Sequence, residues 1–321
     1  MTARSTRPSA AITRLTAVAA VAVAGALVLT GCGDQTKKDD NSGNTAGGSS
    51  APNKSGAPLF GKLPKKYQDA GTIKVGTDAS YAPMEQTENG KIVGIDPDIA
   101  DALSKQLGVK FQFTNGNFDG LITSLYTGRE DIAMSAMSDT KARQQGLDDK
   151  GKKIGKGVDF VDYYTSGSSL LVKKGNPKGI KSLADVCGQT VAVQRGTIYD
   201  DAFKKQKTAC GSKGLNIQAF DTDAEAQTRV KAGGAVADLN DTPVAAYIAQ
   251  KSGNGNDFEV AGSPADSGPF GIAVDKSNVQ LRDALKAAMD AIIADGTYGK
   301  VLEKWNATTG AISSAAVNGG A

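Results

Sequence analysis

The sequence contains no histidine among its 321 residues. Its absence removes the commonest metal ligand and the commonest general base, so Ser-His or Cys-His nucleophilic catalysis and His-ligated zinc are excluded. An excess of one charge sign is missing too. The formal net charge is +3, acidic and basic residues are interspersed, and nothing points to a nucleic-acid partner. The apolar run 17–29 is roughly a dozen residues long, short of the ~20 that a bilayer-spanning helix needs. Cysteine is scarce, at three residues, and residues 33–58 carry almost no apolar side chain.

Arg4, Arg7 and Arg14 precede the apolar run, which ends in Leu29-Thr30-Gly31-Cys32. A basic front, a short apolar middle and a small-residue exit make a processed secretion signal. Residues 1–31 are therefore expected to be a lipoprotein signal peptide, with Cys32 the lipid-bearing first residue of the mature chain. Several acyl chains, at about 0.8 kcal/mol per buried methylene, would hold it on the outer face of a membrane. Residues 32–58 are expected to be a disordered tether, because so polar a stretch cannot offset the entropy of ordering the chain. A Gly/Ala/Ser-rich stretch, 310–321, is read as a flexible tail. Cys187 and Cys210 then remain as an even pair in an oxidising compartment, where one disulfide is the expected outcome.

Between these limits lie roughly 250 residues, enough for two modest lobes with real cores. Short β-like runs alternate with helical ones. Thr72-Ile73-Lys74-Val75-Gly76 reads as a strand, and Ile92-Val93-Gly94-Ile95 as another. Asp96-Pro97-Asp98 then opens a helix, with Asp96 as cap and Pro97 at the first helical position, where its missing N–H costs nothing. Ile99, Leu103 and Leu107 recur at helical spacing, and Gly108 stops the helix. Alternation of this kind indicates open α/β sheets, whose ligands sit beyond the carboxyl ends of the strands.

Those loop positions carry the chemistry. One strand ends in Thr77-Asp78-Ala79-Ser80-Tyr81, and another in Ser135-Ala136-Met137-Ser138-Asp139-Thr140 followed by Arg143. Two further strands end in Gln194-Arg195-Gly196-Thr197 and Asn240-Asp241-Thr242-Pro243. An arginine fork matches a carboxylate bidentately, and Gly196-Thr197 at a helix start offers backbone N–H groups to the same anion. Asp78 or Asp241 can take an ammonium. A fixed cation near a fixed anion suits a zwitterion, a free α-amino acid.

The run from Gly76 through Pro83, with Gly90-Lys91-Ile92-Val93-Gly94-Ile95-Asp96 after it, resembles the family 3 bacterial extracellular solute-binding proteins, the polar-amino-acid receptors of ABC importers. Phe118-Asp119-Gly120-Leu121-Ile122, Ser138-Asp139-Thr140-Lys141-Ala142-Arg143, Asp159-Phe160-Val161-Asp162-Tyr163-Tyr164, Gln194-Arg195-Gly196-Thr197 and Asp241-Thr242-Pro243-Val244 follow in family order, over about 59–306.

The resemblance implies a two-lobed α/β fold of the periplasmic-binding-protein (Venus flytrap) type. Lobe 1 would comprise 59–166 and 271–309, and lobe 2 would comprise 167–270, with chain crossings near 165–169 and 268–272. It also implies that Arg143 clamps an α-carboxylate with Ser138 and Thr197. Asp241 would take the α-ammonium with the Ala136 carbonyl, while Asp78, Tyr81 and Phe118 face the ligand side chain; Gln194 is a further ligand-binding position that bears on side-chain selectivity. The implied function is a receptor rather than an enzyme: a monomer without cofactor or metal, anchored to the membrane by lipid, periplasmic or on the outer face of the cell membrane. Its partners would be a free polar amino acid and an ABC permease. Two alternatives stay open. By resemblance the fold also hosts secreted cyclohexadienyl dehydratases, with Asp78 or Glu85 the candidate general acid here. The other alternative is a ligand-sensing module for a separate signalling chain. Met84, Asp139, Val236 and the 146–157 insertion depart from the family pattern. Asp139 would favour a cationic ligand side chain if it faces the cleft, or orient Arg143 if it does not.

Overall fold

The computed structural model describes residues 56–321. The expected signal segment 1–31, the Cys32 lipidation site and all but the last residues of the tether lie outside the described residues. Among the described residues no helix is long and apolar enough to cross a membrane.

Within the described residues eleven strands form two sheets. β1 (Thr72–Thr77) leads into a small antiparallel meander of β2 (Ser80–Tyr81), β3 (Glu85–Glu88) and β4 (Lys91–Val93). β5 (Lys110–Asn115) and β6 (Ile132–Ala133) flank β1 in parallel. β7 (Val158–Lys173) crosses into the second half of the molecule. There β8 (Thr190–Gln194), β9 (Asn216–Phe220) and β10 (Ala237–Asp241) follow. β11 (Phe258–Asp275) returns antiparallel to β7. The main sheet has the order β5-β1-β6-β11-β7-β10-β8-β9. The open sheets of the two lobes are thus fused, because β7 and β11 each run through both. Register shifts between Ala261 and Gly268, opposite Ser166 and Ser168, break the ladder where the chain crosses. Such bulges bend a strand pair locally and increase its twist.

The helix Ile95–Leu107 buries Ile99, Leu103 and Leu107 completely, at the spacing that lines one helical face. Its partners are the C-terminal helices Val279–Ala294 and Thr297–Lys304, which return to the first lobe and share its core. Each such leucine contributes about 1.5–3 kcal/mol of burial, so Leu103→Ala would cost about 2–5 kcal/mol with its cavity term. Gly108 ends the helix in the left-handed region at φ 68°, as its position implies.

The helix start departs from the sequence reading. Gly94, not Asp96, is the N-cap, and no side chain caps the helix. Gly94 sits at φ 146°, where a Cβ would come within 2.2 Å of the Met84 carbonyl oxygen. Asp96 lies inside the first turn, fully buried, and its carboxylate accepts from the Ala136 N–H at 3.0 Å and the Tyr163 hydroxyl at 2.8 Å. Tertiary donors outcompete the local cap.

Residues 310–321 are also not the loose tail their composition suggests. Ala315 and Gly320 are buried, and Val317 bridges to Val161. The Asn318 side chain accepts from Phe160 N at 2.8 Å and donates to Asp159 at 3.0 Å. Backbone and Asn318 hydrogen bonds, close glycine approach and packing of Ile312 and Ala315 on the core hold this segment, and little of that registers as hydrophobic pattern.

Candidate functional site

The carboxyl ends of β1, β6, β8 and β10 face one another across the crossing strands. The structure brings all nine residues singled out from the sequence, Asp78, Tyr81, Phe118, Ala136, Ser138, Arg143, Gln194, Thr197 and Asp241, around one cavity. Glu85, Ser135, Ile198 and Tyr199 complete its wall.

Arg143 is carried by the short helix Lys141–Gln145, whose N-cap Thr140 accepts from the Arg143 N–H. The guanidinium donates to the Ser138 carbonyl at 2.8 Å and, across the cleft, to the Gly196 carbonyl at 3.1 Å. It also lies over the Phe118 ring at 5.4 Å. Two contacts leave the rest of its five donors for an anion. Burial lowers its pKa to about 10, against the pull of Asp201, Tyr199, Asp241 and Asp139, so it stays cationic at neutral pH. Gly196 meets the opposite lobe closely: a Cβ there would stand 2.8 Å from the Asp119 side chain, at a φ of 76° that favours glycine anyway.

Thr197 caps the helix Ile198–Ala209 by accepting from Asp200 N, and donates its hydroxyl to the Gln194 carbonyl at 2.8 Å. Its hydroxyl proton is therefore committed, and the backbone N–H groups at this helix start are the donors left for an anion. Ser138 likewise contributes its carbonyl to Arg143 rather than its hydroxyl.

Asp241 is fully enclosed. Tyr81 donates to its Oδ2 at 2.6 Å, and Tyr199 donates to its Oδ1. Burial raises its pKa to about 7, against the opposing effect of the hydrogen bonds from Tyr199, Tyr81 and Ser166. Ala136 holds φ 44°, unusual for a residue with a Cβ, and Asp96 fixes its N–H. Asp78 accepts from Ser80 at 2.7 Å and from Gln194 across the cleft, and burial raises its pKa. Glu85 accepts from Ser135 at 2.8 Å, and burial together with the nearby Asp96 raises its pKa.

Asp139 faces away from the cavity. It accepts from Gln144 Nε2 at 2.7 Å and from Gly320 N at 2.9 Å. Of the residues the sequence reading passed over, Tyr199 had a usable signal: it lies in the first turn after Gly196-Thr197, where a helix start points side chains back toward the strand end. Ser135 stood in the strand-end run without a role of its own, and Ile198 carried no signal. In the second lobe, Cys187 and Cys210 are joined in a disulfide with a Cα–Cα distance of 5.3 Å. Among the described residues no cluster of three or more His, Cys, Asp or Glu could hold a metal ion.

The cavity measures about 20 Å³, close to the space of one water, because the lobes touch through Gln194–Asp78, Tyr81–Asp241 and Arg143–Gly196. Chemically it presents one cation, Arg143, the carboxyl groups of Asp78, Glu85 and Asp241, and a wall of hydroxyl, amide and backbone donors and acceptors between them.

The model of the bacterial extracellular solute-binding proteins, family 3, matches residues 73–308. The chain is 30% identical to the L-cystine-binding protein of Escherichia coli strain K12 over 76% of its own length and 85% of that protein. It is 33% identical to an arginine-binding periplasmic protein of Mannheimia haemolytica, over 71% of this chain and 88% of that one. Among solved structures, an ancestral arginine-binding protein bound to arginine superposes with a TM-score of 0.65 at 36% identity, covering 73% of this chain and 98% of that one. These relatives are amino-acid-binding proteins, and this chain shares the two-lobed Venus flytrap fold of its structural neighbour. The chain belongs to the bacterial extracellular solute-binding proteins of family 3.

Proposed function

We propose that this protein binds a free polar amino acid between its two lobes and delivers it to an ABC importer, held at the outer face of a membrane by lipid on Cys32. The observation that carries the reading is that Arg143 and Asp241, from opposite lobes, line the same cavity. In this reading Arg143 and the N–H groups after Gly196 take the α-carboxylate. Asp241 and the Ala136 carbonyl take the α-ammonium, and Asp78, Tyr81, Phe118 and Gln194 meet the side chain. The cross-cleft hydrogen bonds now made between protein groups mark where ligand donors and acceptors would substitute for them. Ligand contacts made to both lobes at once favour the closed arrangement, and differential affinity for it is all that closure requires. Arginine, the ligand named for two of the relatives above, belongs first in any screen.

Calorimetry with L-arginine, L-lysine, L-glutamine and L-cystine tests the reading. Arg143→Ala should weaken the bound amino acid at least tenfold, since a charge-assisted contact is worth about 1.5–3 kcal/mol. Unchanged affinity in that variant would remove the site assignment.

A further inference from the structure

The helix bearing Arg143 has five residues, too short to hold itself. Besides its Thr140 cap, it is bonded to the segment 315–321. Its first part covers an edge of β7 that β10, which pairs at Ser168–Val172, does not reach. There Asp162 N donates to Ala316 O at 2.9 Å and Asn318 N to Phe160 O at 3.1 Å. Its last part turns onto the Arg143 helix. Gly320 N donates to Asp139, whose other oxygen accepts from Gln144 in the middle of the helix. Gln144 also donates to Gly320 O at 3.4 Å, and the first residue of the helix, Lys141, donates its N–H to Ala321 O at 3.2 Å. The contact is tight. A Cβ on Gly320 would stand 1.9 Å from the Asp139 carbonyl oxygen, so no other residue fits.

We propose that residues 315–321 form a strap that positions Arg143 for the ligand carboxylate, acting through Asp139, Gln144 and Lys141. Gln144 and Asp139 are buried at 6% and 3% exposure. Neither lines the ligand cavity. They are positioning residues: one face of the short helix carries the guanidinium, and the other is bonded to the strap. The inference rests on the assignment of Arg143 as the carboxylate clamp.

The test is a graded series in the full chain, ending after Gly320, after Asn318 or after Ser314, with Gly320→Ala alongside. Each protein is titrated calorimetrically with L-arginine and L-argininamide, L-lysine and L-lysinamide, and L-glutamine and L-glutaminamide, using the pair whose acid the unaltered chain binds most tightly. The ratio of acid to amide affinity reports the carboxylate clamp. We expect this ratio to fall two- to threefold on loss of Ala321 and at least tenfold on loss of 315–321, with amide affinity changed less than threefold. A lower melting temperature with an unchanged ratio in the folded members of the series overturns the strap and leaves the clamp intact. An unaltered chain that binds acid and amide equally overturns the clamp itself. No binding of L-arginine, L-lysine, L-glutamine or L-cystine by the unaltered chain overturns the receptor reading.

Discussion

Tyr81 and Asp241 hold the lobes together through a reciprocal pair: the phenol donates to the carboxylate at 2.6 Å and accepts from the Asp241 backbone N–H at 3.1 Å. A hydrogen bond to an ionised carboxylate is about twice as strong as one to its neutral form. Tyr81→Phe should therefore lower unfolding free energy by about 1–2 kcal/mol at pH 8, and by less at pH 5, where Asp241 is protonated. Denaturant unfolding at the two pH values measures the difference. An equal loss at both would mean that the bond is not made to a titrating carboxylate.

Ligand binding should follow the same titration. If an α-ammonium pairs with Asp241, the carboxyl must first lose a proton that it holds below about pH 7. Affinity is then highest above pH 7 and falls as pH drops, approaching tenfold per unit below it, with proton release on binding near pH 6. Calorimetry in buffers of different ionisation enthalpy counts that proton. Asp241→Asn should abolish the release, whereas Asp162→Asn, outside the cavity, should not. Proton release unaffected by Asp241→Asn would place the ammonium elsewhere.

Stability without ligand runs in the opposite sense. Burial raises the folded-state pKa of Asp96 and Asp223 to about 6, and that of Asp162 and Asp241 to about 7. Between about pH 4 and 7 the folded state therefore binds more protons than the unfolded one, and stability falls as pH rises through that window. Melting temperatures from pH 4.5 to 8 should decline toward neutrality, least for the ligand-bound protein. A rise over that range would contradict the burial of these carboxyls.

The cavity wall was readable because its residues follow strand ends directly, where an α/β fold places its ligands: Asp78 after β1, Gln194 ending β8, Asp241 ending β10. Asp96 was misread because Asp-Pro at a helix start is a strong local signal. Its real partners, Tyr163 and Ala136, lie 67 and 40 positions away. β7 was legible through the Asp159–Tyr164 motif but not as one continuous strand, because a strand spanning two lobes has no single hydrophobic alternation. The strap was invisible for a related reason. It is held by backbone donors and by the absence of a side chain at Gly320, and composition reports neither.

Two glycines bounding the helix Ile95–Leu107 should differ in their tolerance of alanine. At Gly108 the cost is that of a left-handed C-terminal residue, about 1 kcal/mol. At Gly94 the added methyl meets backbone at Met84 and Glu85, within 2.8 Å, in a conformation that side chains rarely adopt. Gly94→Ala should cost more than about 3 kcal/mol and also displace Glu85 from the cavity wall. Chemical unfolding of both variants separates them, and similar losses would mean that the β3–helix junction is slack.

The disulfide should act on stability and not on the site. Cys210 closes the helix whose first turn, at Thr197, lies against the cavity, and the helix has twelve residues, or about 18 Å, between the two ends. The cross-link spans a sequence separation of 23, for which the chain-entropy model gives roughly 3 kcal/mol through the unfolded state. Replacing both cysteines by serine should lower unfolding free energy by about that amount while leaving amino-acid affinity of the folded protein within twofold. A large loss of affinity with little loss of stability would instead mean that the disulfide sets the angle of the helix, and through it the N–H groups that face the ligand.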